Sequence, residues 1–342
     1  MVVLRRLSVA ATLLALAGCR PDLGDRASLV DGPRVLAVRS VPAEAEARDA
    51  VRYSALVVDA AGERVTGALD WALCNARKPL AELEPVNPVC IARAGDFLVP
   101  LGQGSDALAT VPSAACRLFG PEVPPPKAGE AYGRPADPDP SGGYYQPLRV
   151  LLTDVAGDVG AIGSTRLACG VAGASSGDAS DFLQRYHLNE NPAVVALSVD
   201  GVAAGEAAIS APAGAALKLE VSWPVCPTQD ACGDGLCGPD ETRAGCEADC
   251  AAPAGCGGSE RYVYYDTADQ RLVVRRESMR VSWFATGGVF GVDTTGRDEA
   301  DLSSTSSNTL TLPAAPGQVR GWVVLRDSRG GSAWSRFAID AR

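Results

Sequence analysis

The chain has 342 residues, with 31 Lys and Arg, 41 Asp and Glu and a single His, for a formal net charge of −10. That length suits about two domains, and 46% hydrophobic residues exclude a chain that is disordered throughout. The acidic balance argues against a nucleic-acid binder, which needs a basic face to replace phosphate counterions, and one His removes most His-based metal sites.

Residues 1–18 read MVVLRRLSVAATLLALAG. Arg5 and Arg6 precede an uncharged apolar run from Leu7 to Gly18, too short for the ~20 helical residues that cross a bilayer. The pattern predicts an export signal. Leu16-Ala17-Gly18-Cys19 resembles the lipobox of bacterial lipoproteins. That resemblance implies a diacylglyceryl group on the Cys19 thiol, cleavage just before it, and an acylated new amine. Two or three acyl chains, at ~0.8 kcal/mol per buried methylene, make such an anchor effectively permanent. Arg20, where family members retained at the inner membrane carry Asp, implies an outer-membrane destination in the cell envelope. Residues 19–33 read as a flexible polar tether.

Beyond the tether, short alternating segments predict an all-β protein of two immunoglobulin-like β-sandwich domains, 34–177 and 191–342. In the first, Val51, Tyr53, Ala55 and Val57 alternate with Arg52, Ser54 and Leu56, and a Pro/Gly-rich loop from Phe119 to Pro147 interrupts the pattern. A helix over 178–187 within a 178–190 linker follows, with Asp178 as its expected cap. In the second, Leu217, Leu219, Val221 and Trp223 alternate, as do Met279, Val281 and Trp283. Val319–Leu325 then turns through Asp327-Ser328-Arg329-Gly330-Gly331 into a closing strand. Pro33–Val38 is echoed by Pro192–Leu197, so the two regions read as copies of one fold. A Cys-rich insertion, 226–256, sits between the Leu217 strand and an expected strand at Arg261–Tyr265.

With Cys19 assigned to lipid, ten cysteines remain: Cys74, Cys90, Cys116 and Cys169, then Cys226, Cys232, Cys237, Cys246, Cys250 and Cys256. An exported chain meets an oxidising compartment, so disulfides are expected; four cysteines allow three pairings and six allow fifteen. The spacings lack the C-x2-C knuckle of a zinc site. Cys232-Gly-Asp-Gly-Leu-Cys237, with Cys246 and Asp249-Cys250, resembles a cysteine-rich motif of secreted and surface proteins of myxobacteria and their relatives. Pro33–Val38, Arg134–Pro147 and Leu325–Trp334 extend the resemblance to a group of myxobacterial surface lipoproteins, which implies architecture and address rather than an activity. Asp234, Asp240, Glu241 and Asp249 are calcium candidates because hard cations favour carboxylates on Gly-bent loops, although their spacing is not that of an EF-hand.

Catalytic patterns are sparse. Gly173-Ala174-Ser175-Ser176-Gly177 matches G-x-S-x-G, but His187, the one His, lies on the helix that such an elbow would start, and the surroundings lack βα alternation. Gly102-x-Gly104-x-x-Ala107 has no βαβ unit behind it, and Asp298-Glu299 lies in a polar loop. Tyr144-Tyr145 could form a sugar or peptide platform, whereas Trp71, Trp223, Trp283, Trp322 and Trp334 read as sandwich core or hairpin partners. The expectation is a membrane-anchored, non-enzymatic lipoprotein without a cofactor, presenting sandwich loops to an unidentified protein or polysaccharide or serving as scaffold. The alternative is a hydrolase or a calcium-dependent envelope enzyme.

Overall fold

The computed structural model describes residues 27–342 apart from 65–68, 77–85, 123–124, 126–127, 129–140, 155–156, 206 and 252–253. The export signal, Cys19 and most of the Pro/Gly-rich loop therefore lie outside the described residues.

The chain is all-β and repeats one topology. In the first sandwich, Arg34–Val41 pairs with Ala50–Asp59, which pairs with Asp106–Thr110. The facing sheet runs in the order Glu44–Ala45, Gly157–Ala168, Gly143–Asp154, Leu69–Cys74, Leu98–Gly104. The second sandwich repeats this pattern. Ala196–Val199, Ala216–Ser222 and Thr305–Thr311 form one sheet; Ile209–Ala211, Ser332–Ala341, Gly317–Asp327, Met279–Ala285 and Thr294–Arg297 form the core of the other. In both copies the opening segment crosses between sheets and pairs parallel with the last strand, Glu44 opposite Arg166 and Ile209 opposite Ile339. This switch belongs to the immunoglobulin-like plan and explains the Pro33/Pro192 echo.

Alternation puts one face of each strand inside. Met279, Val281, Trp283 and Ala285 meet Leu217, Leu219 and Val221 in one core; Val51, Tyr53 and Val57 meet Trp71, Leu148 and Val150 in the other. Buried polar tips find partners: Trp71 Nε1 donates to Gly104 O at 3.0 Å, and Tyr53 OH lies 2.6 Å from Thr165 Oγ1.

A third apolar cluster joins the sandwiches. Leu56, expected on the polar side of its strand, is 0% exposed and packs with Leu36, Ala37 and Val58 against Trp322 and Val324. The alternation is sound, but both faces of that strand are covered. Trp322 and the half-buried Trp334 therefore close the interface between domains rather than a sandwich core, with the Arg39 guanidinium 4.9 Å from the Trp334 ring centre. The tether also attaches earlier than expected. Val30 N donates to Ala285 O, and Ala285 N to Ser28 O, both at 2.9 Å, fixing 28–30 on the second sandwich.

Ten cysteines form five bridges: Cys74–Cys90, Cys116–Cys169, Cys226–Cys256, Cys232–Cys246 and Cys237–Cys250. The expected Arg261 strand is not a sandwich strand. Arg261–Asp266 pairs with Arg271–Arg276 in a separate two-stranded ribbon, so the insertion between sandwich strands extends from the knot through this ribbon. The linker helix spans Ser176–Arg185, and its cap is Ser175, whose Oγ accepts from Asp178 N at 3.1 Å. Asp178 sits in the first turn instead, where its charge suits the positive helix end.

Candidate functional site

The two sandwiches, the linker and the insertion meet at a buried polar joint. The strand switch carries Glu44 across the first sandwich and sets it opposite Arg166. Both are almost wholly buried, with Arg166 Nε 3.1 Å from Glu44 Oε1. Tyr186, at the end of the linker helix, donates to the Glu44 carboxylate (2.6 and 2.8 Å to its two oxygens), and Asn189 N donates to Oε2 at 2.9 Å. Arg166 also donates to Tyr145 OH and to Ser141 O and Oγ, each at 3.0 Å.

The second sandwich contributes the turn Asp327–Gly331. The hairpin turn expected from the sequence forms here, with Gly330 at φ 100°. The linker and insertion nevertheless cover it, leaving Arg329 2% exposed. Arg329 Nε donates to Glu277 Oε1 at 2.6 Å, Nη2 to Glu260 Oε2 at 3.0 Å and Nη1 to His187 O at 3.1 Å. Its guanidinium lies 5.0 Å from the Tyr262 ring centre. Asp327 accepts from Arg329 N and Gly331 N, both at 2.9 Å, and from Asn189 Nδ2. Four carboxylates (Glu44, Glu260, Glu277 and Asp327) thus share two guanidiniums.

Burial of this unbalanced cluster sets its protonation. Burial raises the Glu277 carboxyl well above its ordinary value, with Asp327 and Glu260 adding repulsion against the pull of Arg329. Burial likewise raises Glu260 and Asp327. Burial opposes the charge on Arg329, but its anionic neighbours, Glu277 foremost, more than offset this and hold it protonated. A carboxyl raised on folding binds its proton more tightly in the folded chain. Its stabilising share is complete below the unfolded pKa and is lost as pH climbs through the folded one. His187, lowered by burial, works in the opposite direction, losing stability as pH falls below about 6.5. Glu277, the carboxyl raised furthest, governs this range, so thermal melts should give a higher Tm near about pH 5.5 than near about pH 8. His187→Gln should steepen that rise; a Tm that climbs with pH contradicts the assignment.

Beside the joint lies a cleft of about 240 Å³. The linker residues His187–Glu190 form one wall, the knot another, and Glu260, Arg261 and Arg329 its base. The knot is fastened to this region by Arg261, which reaches Asp230 at 2.6 Å and Asp240 at 2.8 Å, and by Arg185 to Asp240 at 3.1 Å.

The residues singled out in the sequence are placed as follows. Ser175 is exposed and both accepts from Asp178 N and donates to Asp178 Oδ2 at 2.6 Å, the bonding of a helix cap. His187 faces Gly238 O at 3.3 Å and Cys237 Sγ at 3.1 Å. Of the calcium candidates, Glu241 and Asp249 come within 4.8 Å of each other beside the Cys232–Cys246 bridge. Asp234 and Asp240 are outside that group. Asp249 accepts from Gly233 N and Gly235 N, Glu241 from Gly238 N, Asp234 from Leu236 N, and Asp240 from two arginines. These carboxylates thus stitch the knot's own loops. Tyr144-Tyr145 is no platform: Tyr144 is core, and Tyr145 OH accepts from Arg166 and donates to Arg329 O at 3.4 Å. Asp298 caps its own loop at Ala300 and Asp301, and Glu299 pairs with Arg275.

No protein-family model matches the chain, and no curated protein matches it. Among solved structures it is similar to the Yersinia pseudotuberculosis adhesin InvE, at 12% identity and TM-score 0.20 over 89% of this chain and 58% of that one. Latent PorU from Porphyromonas gingivalis gives 10% identity and TM-score 0.20 over 92% and 34% of the two chains. The C-terminal domain of the Streptococcus pyogenes antigen I/II-family protein AspA gives 9% identity and TM-score 0.23 over 91% and 100%. The chain spans little more than half of the InvE chain and about a third of PorU. Scores this low say nothing of function. Among the described residues, no helix is long and apolar enough to cross a membrane.

Proposed function

We propose that the protein is a lipid-anchored, non-enzymatic lipoprotein of the outer membrane that presents a binding or scaffolding surface on rigidly joined sandwiches. The observation that carries this reading is the joint. An apolar seam and a buried ionic cluster fix both sandwiches and the stapled insertion as one body, as a display scaffold requires. With 28–30 already seated on the second sandwich, an anchor at Cys19 would hold that body within about 30 Å of the bilayer. The capping role of the Ser175 hydroxyl supports a non-catalytic reading over the hydrolase alternative.

Metabolic labelling with radioactive palmitate tests the anchor. Label in the wild-type chain, its loss in Cys19→Ser, and release of that variant from the outer-membrane fraction are expected. An unlabelled wild-type chain defeats the proposal. A fluorophosphonate probe should leave Ser175 unmodified; labelling there would favour the hydrolase.

A further inference from the structure

We propose that the cleft between the linker and the Cys-rich insertion binds an alkylammonium group, the end of a lysine side chain or of a comparable primary amine. This assignment does not depend on the lipid anchor and could fail without affecting it.

The cleft is acidic: Glu44, Glu190, Asp230, Asp234 and Glu260 line it against the guanidiniums of Arg261 and Arg329. The cleft wall also holds an unfilled acceptor. Asn189, 1% exposed, is part of the wall. Its Nδ2 is turned to both Asp327 oxygens, at 3.2 and 3.3 Å, which fixes the amide orientation, and its Oδ1 is buried without a partner. A buried acceptor left without a donor is costly, so a donor that reaches it from the cleft is favoured. An ammonium offers three donors and no acceptor, which suits a site short of donors and rich in anions.

The walls choose between cations. Pro42, Leu188, Leu236 and Pro239 give the cleft apolar sides, suited to a methylene stem. A hard divalent ion wants six to eight oxygens, but the acids here already serve other donors: Glu260 accepts from Arg329 and Gly257 N, and Asp230 from Arg261 and Asp240 N. The volume, about 240 Å³, lies below the ~300–1,000 Å³ of pockets that engulf a whole ligand. A side chain fits; a large cofactor does not.

Calorimetry and thermal shift on the full oxidised chain test this with n-butylamine, n-butanol, sodium butyrate and calcium chloride. Saturable 1:1 binding of butylamine alone is expected. Nα-acetyl-lysine methylamide and glucosamine, run in parallel, tell a peptide side chain from an amino sugar as the source of the amine. Glu190→Gln, at an exposed position, should weaken butylamine about three- to fivefold. Glu190→Lys, which brings its own ammonium, should abolish binding, whereas Asp106→Asn on the far sandwich should change nothing. The proposal is overturned if butanol binds as well as butylamine, if calcium displaces the amine, if butylamine fails to bind, or if Glu190→Lys binds like wild type.

Discussion

Arg329→Ala should destabilise the chain by roughly 3–5 kcal/mol at neutral pH, the usual consequence of breaking a buried ion pair from one side. Arg329 touches Glu277, Glu260, the His187 carbonyl and the Tyr262 ring, and its removal leaves four buried carboxylates with Arg166 alone. Those acids must then take up protons or water. The penalty should therefore shrink in acid, where the carboxyls are already neutral, and grow toward pH 8. Arg329→Lys should recover little, because an ammonium cannot reproduce a fork that serves three acceptors in fixed directions. Denaturant melts at two pH values measure this directly; a loss independent of pH would mean that Arg329 acts through packing alone.

Removing the Cys116–Cys169 bridge should have the second large effect. It closes 53 residues, and loop-closure entropy assigns a crosslink of that span about 4 kcal/mol, against about 3 kcal/mol for the 13 residues of Cys237–Cys250. Cys169 directly follows the last strand of the first sandwich, Gly157–Ala168, and Cys116 lies in the short helix Ala115–Leu118 that follows the Asp106–Thr110 strand. The bridge thus holds both ends of the excursion that carries the Pro/Gly-rich loop. Cys116→Ser with Cys169→Ser should lower Tm by roughly 8–15 °C. A change below a couple of degrees would show that the unfolded chain is already constrained elsewhere.

Much of the fold is legible because it is written in local chemistry. Alternation at Leu217–Val221 and Met279–Trp283 names inward faces, and the Pro33/Pro192 echo marks a repeated sandwich whose strand switch recurs at Glu44 and Ile209. Pairing of the cysteines is not legible, since parity tells that they pair but not with whom. The joint escapes a linear reading for a similar reason. Glu44 and Arg166 are far apart in the chain, and nothing near Asp327–Gly331 reveals that a linker and an insertion will cover that turn. Leu56 held a usable signal, a large aliphatic side chain at a position the alternation assigns to solvent, with Val58 repeating it two residues on. Apolar residues on both faces of one strand point to a second covering layer. For Ser175, the acid three residues later is a helix-start signature that competes with the elbow, and the structure resolves the competition toward the cap.

The most direct test of the account is the intact mass of the chain extracted from envelopes without reduction, followed by peptide mapping. The expected species is a polypeptide beginning at Cys19, heavier by a diacylglyceryl and an acyl group, with no free thiol and with crosslinked peptides joining Cys74 to Cys90, Cys116 to Cys169, Cys226 to Cys256, Cys232 to Cys246 and Cys237 to Cys250. A full-length, lipid-free chain whose cysteines alkylate without reduction would contradict it.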